Sequence, residues 1–278
     1  MKVLCNRKAT NAEREISFFK SFEDVDLEVF ETRKSFLKKI EILAGKKEKI
    51  VVMGGDGTVS LAAQKIAGTD TALGIIPVGR GNDFTNFLGI PSDPLEALWV
   101  AKRGNKTKVS LGGVDSRYFC NSFGVGFDAY VIGLTERYNK KSYKLTAIKN
   151  LFKFESFNAS ISARLRDGSH LEISEDFLMI VFANGITEGN GLHVSHKGLE
   201  DQHLSMTTVY DLNGLERLLT LPFFFTFGFD KPESVKNYQI KEAELKVSRD
   251  IRKQVDGDIF YGGATKVKAY PRAVTVLT

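Results

Sequence analysis

The chain has 278 residues, 42% hydrophobic and 26% charged, with 6 prolines against 25 glycines. That is enough chain for one or two domains with sizeable cores, and the balance excludes disorder, collagen and a coiled coil as descriptions of the whole. Subtracting 34 Asp and Glu from 39 Lys and Arg leaves +5, a mild excess that suits nucleotides or acidic membrane surfaces and does not single out nucleic acid.

From the start, short apolar runs at residues 2–5, 27–30, 49–53 and 72–78 alternate with helical spacing, as in Phe36, Ile40 and Leu43 or Leu61 and Lys65. This reads as βαβ units and a mostly parallel sheet. Near residue 112 the style changes. Runs at 118–123, 159–165, 177–183, 204–210, 238–240, 244–247 and 274–277 alternate between Gly-, Asn- and Asp-rich connections and predict antiparallel sheets packed as a sandwich. Helical segments are predicted around 134–154 and 212–227. Cys5 and Cys120 lie in apolar runs and predict no disulfide framework, so a reducing cytoplasm is the default. The first residues lack the apolar core of a signal peptide, and the densest apolar run, 218–229, is broken by Thr220, Pro222, Thr226 and Gly228. The expectation is a cytoplasmic protein, peripheral to a membrane at most.

The first informative chemistry is Gly54-Gly55-Asp56-Gly57-Thr58 after the strand at 49–53 and before a helix. Such a turn brings backbone N–H groups to the carboxyl edge of a sheet, where phosphates bind. No Gly-Lys-Ser/Thr follows, so it is not a Walker A loop, and Asp56 repels a phosphate unless a cation such as Mg²⁺ lies between them. A tight βα turn with Asp56 capping the helix is the competing explanation. A second strand leads into Gly79-Arg80-Gly81-Asn82-Asp83-Phe84. Parallel neighbours put both turns at the same edge, so Arg80 and Asn82 are within reach of the same phosphates; capping and loop hydrogen bonds are the alternative for Asn82 and Asp83.

These blocks, with Leu88-Gly89-Ile90-Pro91, residues 119–129, Ala183-Asn184-Gly185 with Gly189-Asn190-Gly191, and Val255-Asp256-Gly257-Asp258, resemble the bacterial diacylglycerol kinase and YegS-like lipid kinase family, related to sphingosine kinases. The resemblance implies an N-terminal α/β nucleotide-binding domain over 1–112, of the NAD kinase and phosphofructokinase type. It also implies a C-terminal antiparallel β-sandwich over 113–267, a cleft between them, and a last strand at about 268–278 that returns to the first domain. It implies transfer of the γ-phosphate of ATP to a lipid hydroxyl, with diacylglycerol the leading acceptor and phosphatidic acid the product. Asn6, Thr32, Gly54, Gly55, Asp56, Gly57, Thr58, Ser60, Gly79, Arg80, Gly81 and Asn82 would contact the nucleotide. Asp56 would organise Mg²⁺, and Asp258 stands where the family carries a Glu as general base. An ordinary turn is the alternative for residues 256–258. A structural Mg²⁺ site would use Asp201 with carbonyls of Gly198 and His203.

Several positions depart from the family pattern. The first loop keeps Asn6 but lacks the usual Pro and Gly, with Arg7 and Lys8 supplying charge instead; Ser60-Leu61 replaces Asn-Glu; Arg80 replaces a small residue and adds charge to the phosphate site or, being bulky, partly fills it; Asp258 is one methylene shorter than Glu. The substrate calls for a membrane surface, and Arg137, Lys140, Lys141, Lys144, Lys149 and Lys153 beside Tyr138, Tyr143, Leu151, Phe152 and Phe154 suit interfacial anchoring, as a solvated helix face also would. Residues 222–229 suit an acyl pocket or a core. No nucleic-acid partner is expected, and a homodimer is compatible with the pattern. A soluble-substrate kinase of the NAD kinase type and a catalytically silent nucleotide- or lipid-binding homologue are the alternatives.

Overall fold

A computed structural model describes residues 1–7, 12–137, 143–184, 187–188, 192–193, 203–211, 214, 216–217 and 233–278. Two compact units emerge, 1–111 with 271–278, and 112–270.

The first unit runs β1 (Lys2–Asn6), α1 (Ala12–Phe19), β2 (Asp26–Phe30), α2 (Arg33–Leu43), β3 (Lys49–Gly54), α3 (Asp56–Ile66), β4 (Ala72–Pro77), α4 (Asp83–Phe87), α5 (Pro94–Arg103) and β5 (Lys106–Val114), the last leading out of the unit. β2, β1, β3 and β4 pair in parallel in that order, and Thr275 and Val276 extend the sheet in parallel beside Ala72 and Leu73. Alternate residues face opposite sides of the sheet. Val3, Cys5, Val51, Met53 and Ile76 join Ala12, Ile16 and Phe19 of α1 and Leu98 and Ala101 of α5 in one core, while Leu4, Val52 and Ile75 are buried on the other side. Burial on both faces explains why these strands read as continuous apolar runs. Helix starts follow local chemistry. Thr32 Oγ1 accepts from Ser35 N at 3.2 Å to cap α2, and Asp93 Oδ1 accepts from Leu95 N and Glu96 N at 3.0 Å to cap α5, with Pro94 at its first position.

The second unit continues with β6 (Arg117–Phe119), β7 (Ser122–Gly126), α6 (Phe127–Arg137), α7 (Tyr143–Asn150), a 3₁₀ turn (Leu151–Lys153), β8 (Phe157–Leu165), β9 (His170–Ala183), β10 (Thr187–Glu188), β11 (Leu192–His193), β12 (Leu204–Tyr210), β13 (Val235–Val247), β14 (Arg252–Val255), β15 (Asp258–Tyr261) and β16 (Thr265–Leu277), which ends in the first unit. Its pairings are antiparallel, as the strand alternation predicts. β9 and β13 are shared strands. The first half of β9 pairs with β8, whereas its second half lies between β7 and β12; β13 pairs with β12 through Ile240 and then with β8 and β16, with a register shift after Ile240. Strands that pass between sheets form the corners of a sandwich.

The predicted runs at 238–240 and 244–247 are therefore one strand, and the predicted run at 118–123 is two. In the second half of β9, Ile180 and Phe182 join the sandwich core with Phe123 and Phe177, while Leu178, Val181 and Ala183 pack against Phe127 and Val131 of α6 and Ala147 and Leu151 beyond it. Helix coverage of one face accounts for the unbroken apolar run there. The helical region predicted at 134–154 begins earlier, at Phe127, just after Gly126 in the left-handed region at φ +85°. Most of the helix predicted at 212–227, and the apolar run 222–229, lie outside the described residues. Cys5 and Cys120 are free and buried, and burial pushes the Cys5 thiol up to about 12.

Candidate active site

In the first unit the chain turns to opposite sides of β1 to build β2 and β3, so the carboxyl ends of β1 and β3 flank a topological switch point, the position where open α/β sheets bind ligands. Asn6 ends β1, and Gly54 ends β3. Asn6 Nδ2 donates to Thr58 Oγ1 at 3.0 Å, which ties the first loop to the glycine turn. Thr58 is buried, and a Cβ on Gly54 would lie 2.4 Å from its Cβ, so Gly54 is required for the turn to fold back over Thr58.

The two glycine turns touch through backbone. A Cβ on Gly79 would sit 2.5 Å from Gly55 Cα, and one on Gly55 would sit 3.0 Å from Gly79 Cα. Asp56 fastens them. Its Oδ2 accepts from Asn82 N at 2.7 Å and its Oδ1 from Phe84 N at 3.4 Å, so the carboxylate caps the start of α4. The cap comes from Asp56 because Asn82, left-handed at φ 55°, turns its own side chain back onto Gly79, accepting from Gly79 N at 3.1 Å and donating to Gly79 O at 3.2 Å. Asp56 caps a helix as the simpler sequence explanation has it, but the helix is α4 and not the α3 it begins. Gly57, in the first turn of α3, is exposed, with no atom within 4 Å of the place a Cβ would occupy. That open helix start, with Gly81 and the exposed Arg80 in the neighbouring turn, fits a phosphate chain.

Other predicted nucleotide residues sit differently. Ser60 is buried one turn into α3, where its hydroxyl accepts from Gln64 Nε2 at 3.1 Å, and Thr32 caps α2. Arg7, expected to compensate for the altered first loop, pairs with Glu31 at 2.6 Å and Glu13 at 2.9 Å; Lys8 lies outside the described residues. Among the described residues no cluster of three His, Cys, Asp or Glu stands ready for a metal. Both Asp56 oxygens already accept backbone N–H groups, so Asp56 would meet a cation only through its remaining lone pairs, with phosphate oxygens supplying the other ligands. Gly198 and Asp201 of the predicted structural Mg²⁺ site lie outside the described residues, whereas His203 immediately precedes β12.

Asp258 belongs to the second unit. Asp256 and Gly257 are both left-handed, at φ 45° and 93°, and join β14 to β15 with Val255 opposite Asp258. A two-residue Asp-Gly link with both φ positive is the hairpin turn whose twist matches its strands. The turn is bolted down. Asp256 accepts from Cys120 N at 2.7 Å, Asn121 N at 2.9 Å and Ser122 N at 3.0 Å, and its own N–H donates to Ser122 O at 3.0 Å. This clamp separates β6 from β7. The sequence treats residues 256–258 as turn or base; the structure gives the turn to 256 and 257 and leaves Asp258 half-buried on the first residue of β15.

Behind the hairpin runs a buried polar chain that no sequence motif marks. Gln254 Oε1 accepts from Gly257 N at 2.9 Å, and its Nε2 donates to Ser122 Oγ and to Asp128 Oδ2, both at 3.0 Å; Tyr143 Oη donates to Asp128 Oδ1 at 2.8 Å. Burial pushes the Asp128 carboxyl above its ordinary range, against the two hydrogen bonds that favour its charge. Gly124 makes room, since a Cβ there would fall 2.0 Å from Asp128 Oδ2. A glycine four residues before a helix-borne Asp is the local signal available; Gln254 gives none. Nearby, the fully buried Lys253 donates to Gly263 O at 2.6 Å and to Thr265 Oγ1, and burial lowers its pKa.

Comparison with known proteins places these features. Residues 1–114 match the diacylglycerol kinase catalytic domain model, and residues 121–278 match the YegS C-terminal NAD kinase beta sandwich-like domain model. A diacylglycerol kinase of Mycobacterium tuberculosis is 27% identical over 241 residues, covering 83% of this chain and 76% of its own. A probable YegS-like lipid kinase of Stenotrophomonas maltophilia is 30% identical over 243 residues, covering 81% and 77%. The fold matches a putative diacylglycerol kinase of Bacillus anthracis with a TM-score of 0.78 at 18% identity, over 99% of this chain and 96% of that one.

Proposed function

The chain belongs to the diacylglycerol kinase and YegS-like lipid kinase family, and from that premise we propose that it phosphorylates a lipid hydroxyl from ATP, with diacylglycerol as acceptor and phosphatidic acid as product. The observation that carries the reading is the Asp56 clasp, which fuses two glycine turns into one side-chain-poor backbone surface at a topological switch point. MgATP supplies the phosphoryl group and the cation that screens its charge. The chain's own part is positional. Gly57 leaves the start of α3 open for the phosphates to approach backbone N–H groups, Gly55 lets the second turn pack against the first, Asn6 holds Thr58 beneath the turn, and Arg80 adds a positive charge beside it. Asp258 takes the proton of the acceptor hydroxyl, held in place by the Asp256 clamp and by Gln254.

Transfer of labelled phosphate from ATP to a panel of dispersed lipids and to NAD tests this reading. Label in diacylglycerol is the expected result. Label confined to NAD, or nucleotide binding without label in any acceptor, overturns it.

A further inference from the structure

The hairpin that carries Asp258 has two faces, and an arginine lies on a ring of each. Val255 stands opposite Asp258 and Lys253 opposite Phe260, so these four side chains share a face; Arg252, Gln254, Ile259 and Tyr261 share the other. The first face belongs to the sandwich core, where the Phe260 ring stacks on Phe123 at 6.2 Å and Phe123 on Phe182 at 5.5 Å. The second turns toward α6, since Gln254 reaches Asp128 and the Arg252 guanidinium lies 5.5 Å from the Tyr130 ring.

Arg117 comes to the first face from β6. Its guanidinium carbon stands 4.8 Å from the centre of the Phe260 ring, which Phe123 and Phe182 fix in turn. Phe260 follows Asp258 by two residues, so the acid and the ring that carries the cation are neighbours on one face. Asp256 holds the two strands together, because it accepts from Cys120 N and Asn121 N just past the end of β6. Arg117 is exposed, and its guanidinium makes no hydrogen bond or ion pair among the described residues. A guanidinium laid on a ring keeps its N–H donors free at its edge. The other cation of this face is spent: Lys253 is 0% exposed and donates to Gly263 O at 2.6 Å and to Thr265 Oγ1. On the opposite face Arg252 gives its Nε proton to Tyr261 Oη at 3.1 Å.

What such a cation can hold follows from the reaction, so the inference rests on the lipid-kinase reading and on Asp258 as its base. The acceptor hydroxyl loses its proton to Asp258, its oxygen bonds the γ-phosphorus, and the bond from that phosphorus to ADP breaks. A neutral head thereby becomes a phosphomonoester with about −1.5 to −2 charges at pH 7. We propose that Arg117 holds this new phosphate, so that its ligand is the phosphorylated product and the unreacted lipid alcohol gains nothing from it. The guanidinium fork matches phosphate oxygens, and neutral diacylglycerol offers it no anion. The chain therefore binds its lipid phosphate more tightly than the lipid alcohol from which it came.

Calorimetric titration with dioctanoyl phosphatidate, dioctanoylglycerol and inorganic phosphate, in the absence of nucleotide, is the test. The wild-type chain is expected to bind the phosphatidate about tenfold or more tightly than the dioctanoylglycerol, a comparison that needs no variant. Arg117→Gln should abolish that preference while leaving affinity for dioctanoylglycerol within about twofold of wild type; Arg117→Lys should keep part of it. Arg252→Gln removes the cation of the opposite face and should keep the preference whole, and thermal unfolding checks that each variant is folded. Equal affinities in the wild-type chain, a preference that survives Arg117→Gln or vanishes in Arg252→Gln, or inorganic phosphate binding as tightly as the phosphatidate overturns the proposal. Label transfer from ATP to diacylglycerol by a wild-type chain without the preference strikes the role of Arg117 alone, whereas absence of transfer strikes the lipid-kinase reading.

Discussion

Each unit uses a carboxylate to gather backbone N–H groups, and the two do so to opposite effect. Asp56 accepts from Asn82 and Phe84 and thereby joins the turns it belongs to; Asp256 accepts from Cys120, Asn121 and Ser122, far off in sequence, and leaves Asp258, two residues on, at the start of a strand. In the first unit the acid nearest the glycines is itself the fastener. In the second, fastener and proposed base are separate residues of one hairpin. An acidic residue inside a glycine motif thus has two possible jobs, and hydrogen-bond partners rather than spacing tell them apart.

The contrast can be broken at either carboxylate. Asp256→Ala strands three N–H donors on residues that are 0–6% exposed, where water cannot replace the acceptor; it should cost about 3 kcal/mol of unfolding free energy by denaturant titration. A loss below about 1 kcal/mol would mean that the clamp is redundant. Asp56→Ala removes one acceptor from the half-buried Asn82 and a longer one from the buried Phe84; it should cost about 2 kcal/mol while weakening nucleotide binding about thirtyfold, read by calorimetry. Unchanged nucleotide affinity would separate the clasp from the phosphate surface.

Smaller changes sharpen the same contrast. Gly55→Ala keeps an ordinary extended backbone at φ −93° but pushes a methyl to 3.0 Å from Gly79 Cα, so the turns must part slightly; a loss of about 1 kcal/mol is expected. Asp128→Asn has a signature in pH. Burial raises the folded-state pKa of Asp128, so the folded chain holds that proton to higher pH than the unfolded one. Its contribution to stability is therefore full below about pH 4 and drains as pH rises toward the raised value. The stability difference between wild type and Asp128→Asn should fall with pH over that window, and a flat difference would show that the carboxyl is well solvated.

What the sequence makes legible follows the range of the interactions. Strands of the parallel sheet are readable because burial on both faces leaves apolar runs, and the glycine turns because their backbone needs are local. The cap at Thr32 is local too, and it is what the residue does in the described structure. The break between β6 and β7 is invisible locally, because it is imposed by a carboxylate 135 residues away at Asn121. β13 reads in sequence as two strands because a strand passing between sheets loses its simple alternation where the register shifts. The hydrogen bond between Gln254 and Asp128 is not legible locally, because neither pattern nor spacing announces a pair 126 residues apart. The charge that Arg7 is expected to bring to the first loop is taken up by Glu13 and Glu31.

In the proposed reaction Asp258 removes the proton of the lipid hydroxyl and the glycine turns hold the phosphates. Steady-state kinetics of Asp258→Asn with diacylglycerol in detergent test it most directly, with ATP affinity measured on the same samples. A base at Asp258 gives a fall in kcat of about a thousandfold with ATP affinity within about twofold of wild type. Retained kcat, or losses of equal size in kcat and in nucleotide affinity, would contradict it.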